Sequence, residues 1–168
     1  MDAQTLRSIQ APLKAKYRED PESALITLHA EGKLGPDVTF VLNSDHTSII
    51  SGLHPASGGT GKEICSAEML LWSLVSCAGV TMNAISTSMG LTLRDAKVSA
   101  DGDVDFRGTL GVSKEVPVGF KEIRLHFTLD TDATLEEIAT LIKLTERYCV
   151  VFQTLTAKPE LTVTVSST

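Results

Sequence analysis

The chain has 168 residues, 42% hydrophobic and 21% charged, with a net charge of −6 and a pI near 5.2. That mixture suits one globular domain, and the acidic balance excludes partners that need clustered Lys and Arg, namely nucleic acid and anionic membrane surfaces. Aromatic residues, at 5%, are too few for a base-stacking platform, and three cysteines are too few for a disulfide framework.

Residues 1–20 are mixed and polar and read as a mobile arm or irregular lead-in. They lack the apolar stretch of an export signal, which points to a cytoplasmic chain with reduced thiols. Residues 23–29 and 38–42 are short β-prone runs, separated by Gly32, Gly35 and Pro36 in a hairpin-like arrangement. Residues 43–62 read as loop, centred on His54-Pro55-Ala56-Ser57-Gly58-Gly59-Thr60-Gly61. A helix is predicted from Ser66, a plausible N-cap with Glu68 in the first turn, to Met89, where Gly90 can end it. It is apolar almost all round and about 33 Å long, so it belongs at the centre of the fold with cover from a second subunit.

Strong alternation follows. Val98, Ala100, Val104 and Phe106 face one way, and Lys97, Ser99, Asp101, Asp103 and Asp105 the other. Ile123, Leu125, Phe127 and Leu129 alternate with Arg124, His126 and Thr128, and Leu161, Val163 and Val165 with Thr162, Thr164 and Ser166. These read as strands buried on one face. Residues 107–119, with Pro117, make the connection between the first two. Thr134 and Glu137 form a capping box for a second helix, whose apolar face carries Leu135, Ile138, Leu141 and Ile142. The pattern continues irregularly through Cys149 to Leu155, and Pro159 marks the exit. The layout is a single α+β domain over residues 1–168.

Chemistry concentrates at the cysteines. Cys77 lies in Ser73-Leu74-Val75-Ser76-Cys77-Ala78-Gly79-Val80, and Cys149 in Glu146-Arg147-Tyr148-Cys149-Val150-Val151-Phe152. Each stretch alone reads as core, where free cysteine is common. Brought face to face by helix packing, the two would form a redox pair. Cys65 reads as a bystander in the lead-in to the long helix. Cys65, Cys77, Cys149 and His54 can be drawn as a metal site but have no short ligand spacing. The Gly58–Gly61 loop lacks the Lys-Ser/Thr ending of a phosphate cradle. Asp101, Asp103 and Asp105 read as a solvated strand face, and His29, His46 and His126 as surface residues. Met69 and Trp72 read as core or dimer packing, with a secondary role lining an apolar pocket.

Gly58-Gly59-Thr60-Gly61, then Ser66-Ala67-Glu68-Met69-Leu70-Leu71-Trp72 leading to Cys77, resembles the OsmC/Ohr family of osmotically inducible and organic hydroperoxide resistance proteins. Cys149-Val150-Val151-Phe152-Gln153-Thr154-Leu155 resembles the second family motif, Cys-Pro-Val-x-x-Ser-Leu. The resemblance implies an intertwined homodimer with long central helices packed against curved antiparallel or mixed sheets. It implies a peroxidatic Cys77, a resolving Cys149, an organic hydroperoxide as substrate and an external dithiol as reductant, without metal, flavin or haem. It also implies an activating Arg from the N-terminal region, for which Arg18 is the candidate and Arg147 a second. A Glu should steady that Arg, but Ala67 stands ten positions before Cys77 and Glu68 one later. On a regular helix Glu68 lies about 180° from Cys77. The alternative is a non-catalytic dimeric scaffold or small apolar ligand binder with both cysteines in its core.

Overall fold

The computed structural model describes residues 1–43 and 47–167; His46 lies outside them. Its central platform is a ribbon of two twelve-residue strands, β5 (Leu93–Val104) and β6 (Phe120–Thr131). They pair antiparallel, with Val98 opposite Phe127, Ala100 opposite Leu125 and Gly102 opposite Ile123. The predicted alternation is realised: apolar side chains turn inward and charged ones outward. The outer face carries cross-strand pairs, Arg124 with Asp103 at 2.5 Å and His126 with Asp101 at 3.1 Å. These carboxylates thus form a solvated, ion-paired strand face. Gly102 has a steric reason: a Cβ there would meet Phe120 Cε1 at 2.4 Å.

Helix α2 (Ser66–Met89) crosses the inner face and packs on β5. Its buried stripe is Leu74, Ala78, Met82 and Ser86, each four residues apart and so on one face. Gly90, at φ +73°, ends the helix in the left-handed region, as its sequence position implies. The N-cap is Cys65 rather than Ser66, because the Glu68 carboxylate accepts the Cys65 N–H at 3.2 Å. By length and composition α2 could cross a bilayer. Here one stripe is buried and the opposite face is open, leaving Trp72 59% and Val80 70% exposed. Trp72 is therefore not core within one chain.

Helices α4 (Leu135–Tyr148) and α5 (Val150–Thr156) also pack on α2, and Cys149, Val151 and Phe152 join Leu74 and Ala78 in the core. The predicted capping box is present: Thr134 Oγ1 accepts the Glu137 N–H at 3.3 Å, and the Glu137 carboxylate accepts the Thr134 N–H at 2.8 Å. Leu141 and Thr145 are the buried positions of α4. A short helix, α3 (Phe106–Thr109), takes Phe106 out of the strand in which alternation placed it.

Residues 1–20 are not irregular. They form α1 (Ala3–Glu19), capped by the Asp2 carboxylate, which accepts the Thr5 N–H at 2.7 Å. The 43–62 segment is not all loop either. It contains β3 (Ser48–Gly52), which pairs with β2 (Thr39–Asn43), itself paired with β1 (Glu31–Leu34). A two-residue strand, β4 (Ile64–Cys65), joins β3 in parallel and leads into α2. Two expected strands do not form. Residues 23–29 and 157–167 hold no ladder, and Leu161, Val163 and Val165 are 88–90% exposed. Alternation specifies which side chains share a face; a strand also needs an edge to pair with, and these segments are not paired within one chain.

Candidate active site

Cys77 lies midway along α2. On a regular helix Leu70 and Thr81 fall within about 40° of it, so all three share a face. Cys149 lies where α4 stops and α5 starts, with extended backbone at φ −74° and ψ 108°. Its N–H still donates to Thr145 O, and its carbonyl accepts the Gln153 N–H, both at 2.9 Å. It therefore closes one helix and opens the next. Breaking the chain here frees the first N–H groups of α5 from helical partners. Phe152 N–H donates to Cys149 Sγ at 3.5 Å. The Gln153 side-chain amide donates to Glu146 O at 2.9 Å, the carbonyl that Val150 N–H would meet in an unbroken helix.

The two thiols meet in one packed cluster and differ electrostatically. Burial acts to raise the Cys77 pKa, but Val151 N–H, the Cys149 thiol, Val150 N–H and the Thr81 hydroxyl outweigh it, and the net shift is downward. Burial pushes Cys149 upward, Phe152 N–H opposes this, and Cys77 adds to the rise both as hydrogen-bond partner and as charge. In the pair, Cys77 is thus the sulfur that ionises first and Cys149 the one that keeps its proton. Cys149 is 1% exposed and Cys77 only partly buried, so the more acidic sulfur is also the more accessible.

Leu74, Ala78 and Cys149 form the core cluster, with Cys77, Ile123, Leu125, Val151 and Phe152 packed around it. The same wall continues into a cleft of about 490 Å³ lined by Leu70, Leu74, Ile123, Leu125, Phe152 and Leu155, with Lys121 and Glu122 also on its lining. Leu74 and Phe152 are shared by the thiol cluster and the cleft, while neither Cys77 nor Cys149 lines the cleft itself.

The other expected site residues have the following surroundings. Glu68 caps α2, and with His54, Cys65 and Ala67 it lines a second cleft. His54 stacks on Phe106 with ring centroids 5.0 Å apart. Arg18 is exposed in the last turn of α1. Neither Arg18 nor Glu68 is among the principal groups acting on Cys77 or Cys149. Arg147 lies over the ring of Tyr148, 5.7 Å from its centroid. Among the described residues, no three His, Cys, Asp or Glu side chains gather as a metal-binding set. Sequence reasoning did not find the Thr81 hydroxyl, the Val150 and Val151 N–H groups or the Gln153 side chain. The signals for the first two were present: Thr81 is one helical turn beyond Cys77, and Val150 carries an N–H that proline at that place would lack.

A family model described as OsmC-like protein matches residues 59–164. Among solved structures, the chain is similar to an OsmC-like protein from Mycoplasma pneumoniae at TM-score 0.68 and 20% identity, covering 79% of this chain and 89% of that one. It is similar to an organic hydroperoxide resistance protein from Elizabethkingia anophelis at TM-score 0.63 and 17% identity, covering 80% and 91%. A third, the organic hydroperoxide resistance protein OsmC from Legionella pneumophila, aligns at TM-score 0.62 and 15% identity, covering 79% and 91%. A search of curated proteins gave no match. At these identities the solved structures establish the fold: an OsmC-like α+β architecture.

Proposed function

We propose that this chain, which belongs to the OsmC-like protein family, reduces organic hydroperoxides by thiol chemistry at Cys77 and Cys149. One observation carries the reading: Cys77 packs against the core cluster that holds Cys149, and its surroundings lower its pKa while those of Cys149 raise its own. The thiolate is the nucleophile in such chemistry, and the more acidic, more accessible sulfur is the attacker.

The Cys77 thiolate attacks the terminal oxygen of a hydroperoxide. A sulfur–oxygen bond forms as the oxygen–oxygen bond breaks. The sulfur loses two electrons, and the alkoxide leaves and takes a proton to become the alcohol. Cys149 then attacks the Cys77 sulfenic acid. A disulfide forms, and hydroxide leaves with the Cys149 proton as water. An external dithiol returns two electrons and two protons by thiol–disulfide exchange, restoring both thiols. No metal, flavin or haem enters, because sulfur carries the electrons throughout.

The apolar cleft, which shares Leu74 and Phe152 with the thiol cluster, favours alkyl and aryl hydroperoxides over hydrogen peroxide. The exposed apolar faces of α2 and the unpaired 157–167 segment fit a second copy of the chain as their cover, giving a homodimer. The working setting is the cytoplasm, where dithiol reductants are available.

Turnover tests the proposal. Cumene hydroperoxide should be consumed catalytically with dithiothreitol present, and Cys77→Ser should abolish consumption while leaving the fold intact. If the folded wild-type protein neither consumes the peroxide nor loses thiols, the reading fails.

A further inference from the structure

Cys149 is the single residue between α4 and α5, and its ψ of 108° is far from the roughly −42° of a helix. We propose that Gln153 keeps this break open and so positions the Cys149 sulfur for attack on Cys77. Gln153 acts through the backbone and is a positioning residue, not a reacting one. The inference rests on the peroxidase reading above only in giving Cys149 the second step of the cycle.

Four hydrogen bonds build the break. Cys149 N–H donates to Thr145 O and Gln153 N–H donates to Cys149 O, both at 2.9 Å. Phe152 N–H donates to Cys149 Sγ at 3.5 Å. The Gln153 side chain makes the fourth, from Nε2 to Glu146 O at 2.9 Å. Gln153 therefore holds the break from both sides, with its N–H on Cys149 itself and its amide on the last turn of α4. Glu146 O is the acceptor that a continuous helix would give to Val150 N–H. With the Gln153 amide on it, that carbonyl is satisfied while residue 149 stays extended. Were residue 149 to turn helical, the chain would run on along the α4 axis. Val151 and Phe152 would then leave the cluster that they form with Cys77, Cys149, Leu74 and Ala78. The place of the Cys149 sulfur is thus set by an amide one helical turn beyond it.

Gln153 is exposed, so its side chain can be changed without opening a cavity in the core. Gln153→Met keeps the length and removes the donor. Gln153→Glu keeps the shape and offers the carbonyl no donor at pH 7. Gln153→Lys returns a donor, with a charge suited to the carboxyl end of α4. Thr134→Ala removes the cap at the other end of the same helix and serves as the control for stability alone.

The experiment uses the folded full-length chain carrying Cys65→Ser, which leaves Cys77 and Cys149 as its thiols. Dithiobis(nitrobenzoate) is added below one equivalent, and thionitrobenzoate release is followed by stopped-flow absorbance. Cys77 attacks the reagent, one thionitrobenzoate leaves, and a mixed disulfide forms. Cys149 then attacks the Cys77 sulfur, the second thionitrobenzoate leaves, the Cys149 proton goes to solvent, and the Cys77–Cys149 disulfide forms. The first release is the labelling of Cys77, and the second is the resolving step. Gln153→Met and Gln153→Glu should slow the second release by about fivefold and leave the first within about twofold of the parent. Gln153→Lys should restore the second release. Thr134→Ala should lose stability to urea and leave both releases unchanged. Far-UV circular dichroism checks folding, and if Gln153→Met does not fold, Gln153→Glu against Gln153→Lys decides the matter. A second release unchanged in Gln153→Met and Gln153→Glu overturns the inference, as does equal slowing in Gln153→Lys or Thr134→Ala. A parent chain that gives no second release overturns it too. The measurement contains no hydroperoxide, so a chain inert to cumene hydroperoxide that shows the expected releases loses the peroxidase reading and keeps the role of Gln153.

Discussion

Leu74 and Leu141 are both fully buried leucines, at 2% and 0% exposure, and should respond differently to truncation. Leucine to alanine removes three carbon groups, a transfer loss of about 2.4 kcal/mol at about 0.8 kcal/mol per group. What remains is the void. Leu74 lies on the wall of the 490 Å³ cleft, so the space left by Leu74→Ala opens into that cleft and fills with water. Its cost should stay near 2–3 kcal/mol. Leu141 is buried in α4, which packs on α2, and lines none of the clefts described here; its void has to stay closed. A cavity contribution of about 1–2 kcal/mol brings Leu141→Ala to about 4 kcal/mol. Urea unfolding followed by circular dichroism, at one protein concentration because association would add its own stability, measures both. Leu74→Ala should also raise KM for cumene hydroperoxide, whereas Leu141→Ala should not. A larger stability loss at Leu74 than at Leu141 would refute the placement of Leu74 on an open wall.

Glu68→Ala should cost about 1 kcal/mol, the value of a lost helix cap, and change the Cys77 labelling rate by less than about twofold. A large slowing of labelling would instead return Glu68 to the thiol site. Asp105 is held down to about 2 by the Arg107 side chain, against an ordinary 3.8. Its folded pKa lies below the unfolded one, so its contribution to stability is present above pH 3.8 and is lost as pH falls through about 2. Asp105→Asn should therefore flatten the acid limb of a stability–pH curve, and an unchanged limb would contradict the pairing. Trp72→Glu combined with Val80→Glu places charge on the open face of α2. Sedimentation should show a dimer for wild type and weakened association for the variant, whereas a monomeric wild type would remove the second copy from the picture.

The parts legible in the sequence were those whose signal is local. The bounds of α2 are written in an apolar run closed by Gly90, and the start of α4 in the Thr134–Glu137 box. The alternation in β5 and β6 was unambiguous because both strands find partners in the same chain. Residues 161–165 carry an equally clean alternation and form no strand, because pairing is a property of the partner edge as well as of the segment. Helix α1 was missed because its apolar residues are sparse and Pro12 sits within it, although the Asp2 cap was visible. The cysteines stood out as a pair only through two motifs read together. Sequence position cannot show that the α4–α5 break sets the Phe152 N–H on the Cys149 sulfur. That requires the conformation at Cys149 and the competing bond from Gln153 to Glu146.

Peptide mapping without reduction, after one equivalent of cumene hydroperoxide, tests the thiol pairing most directly. A single linked peptide joining Cys77 to Cys149, with Cys65 still free, is the predicted product. Folded protein in which both sulfurs remain reduced, or in which Cys77 pairs with Cys65 instead, would contradict it.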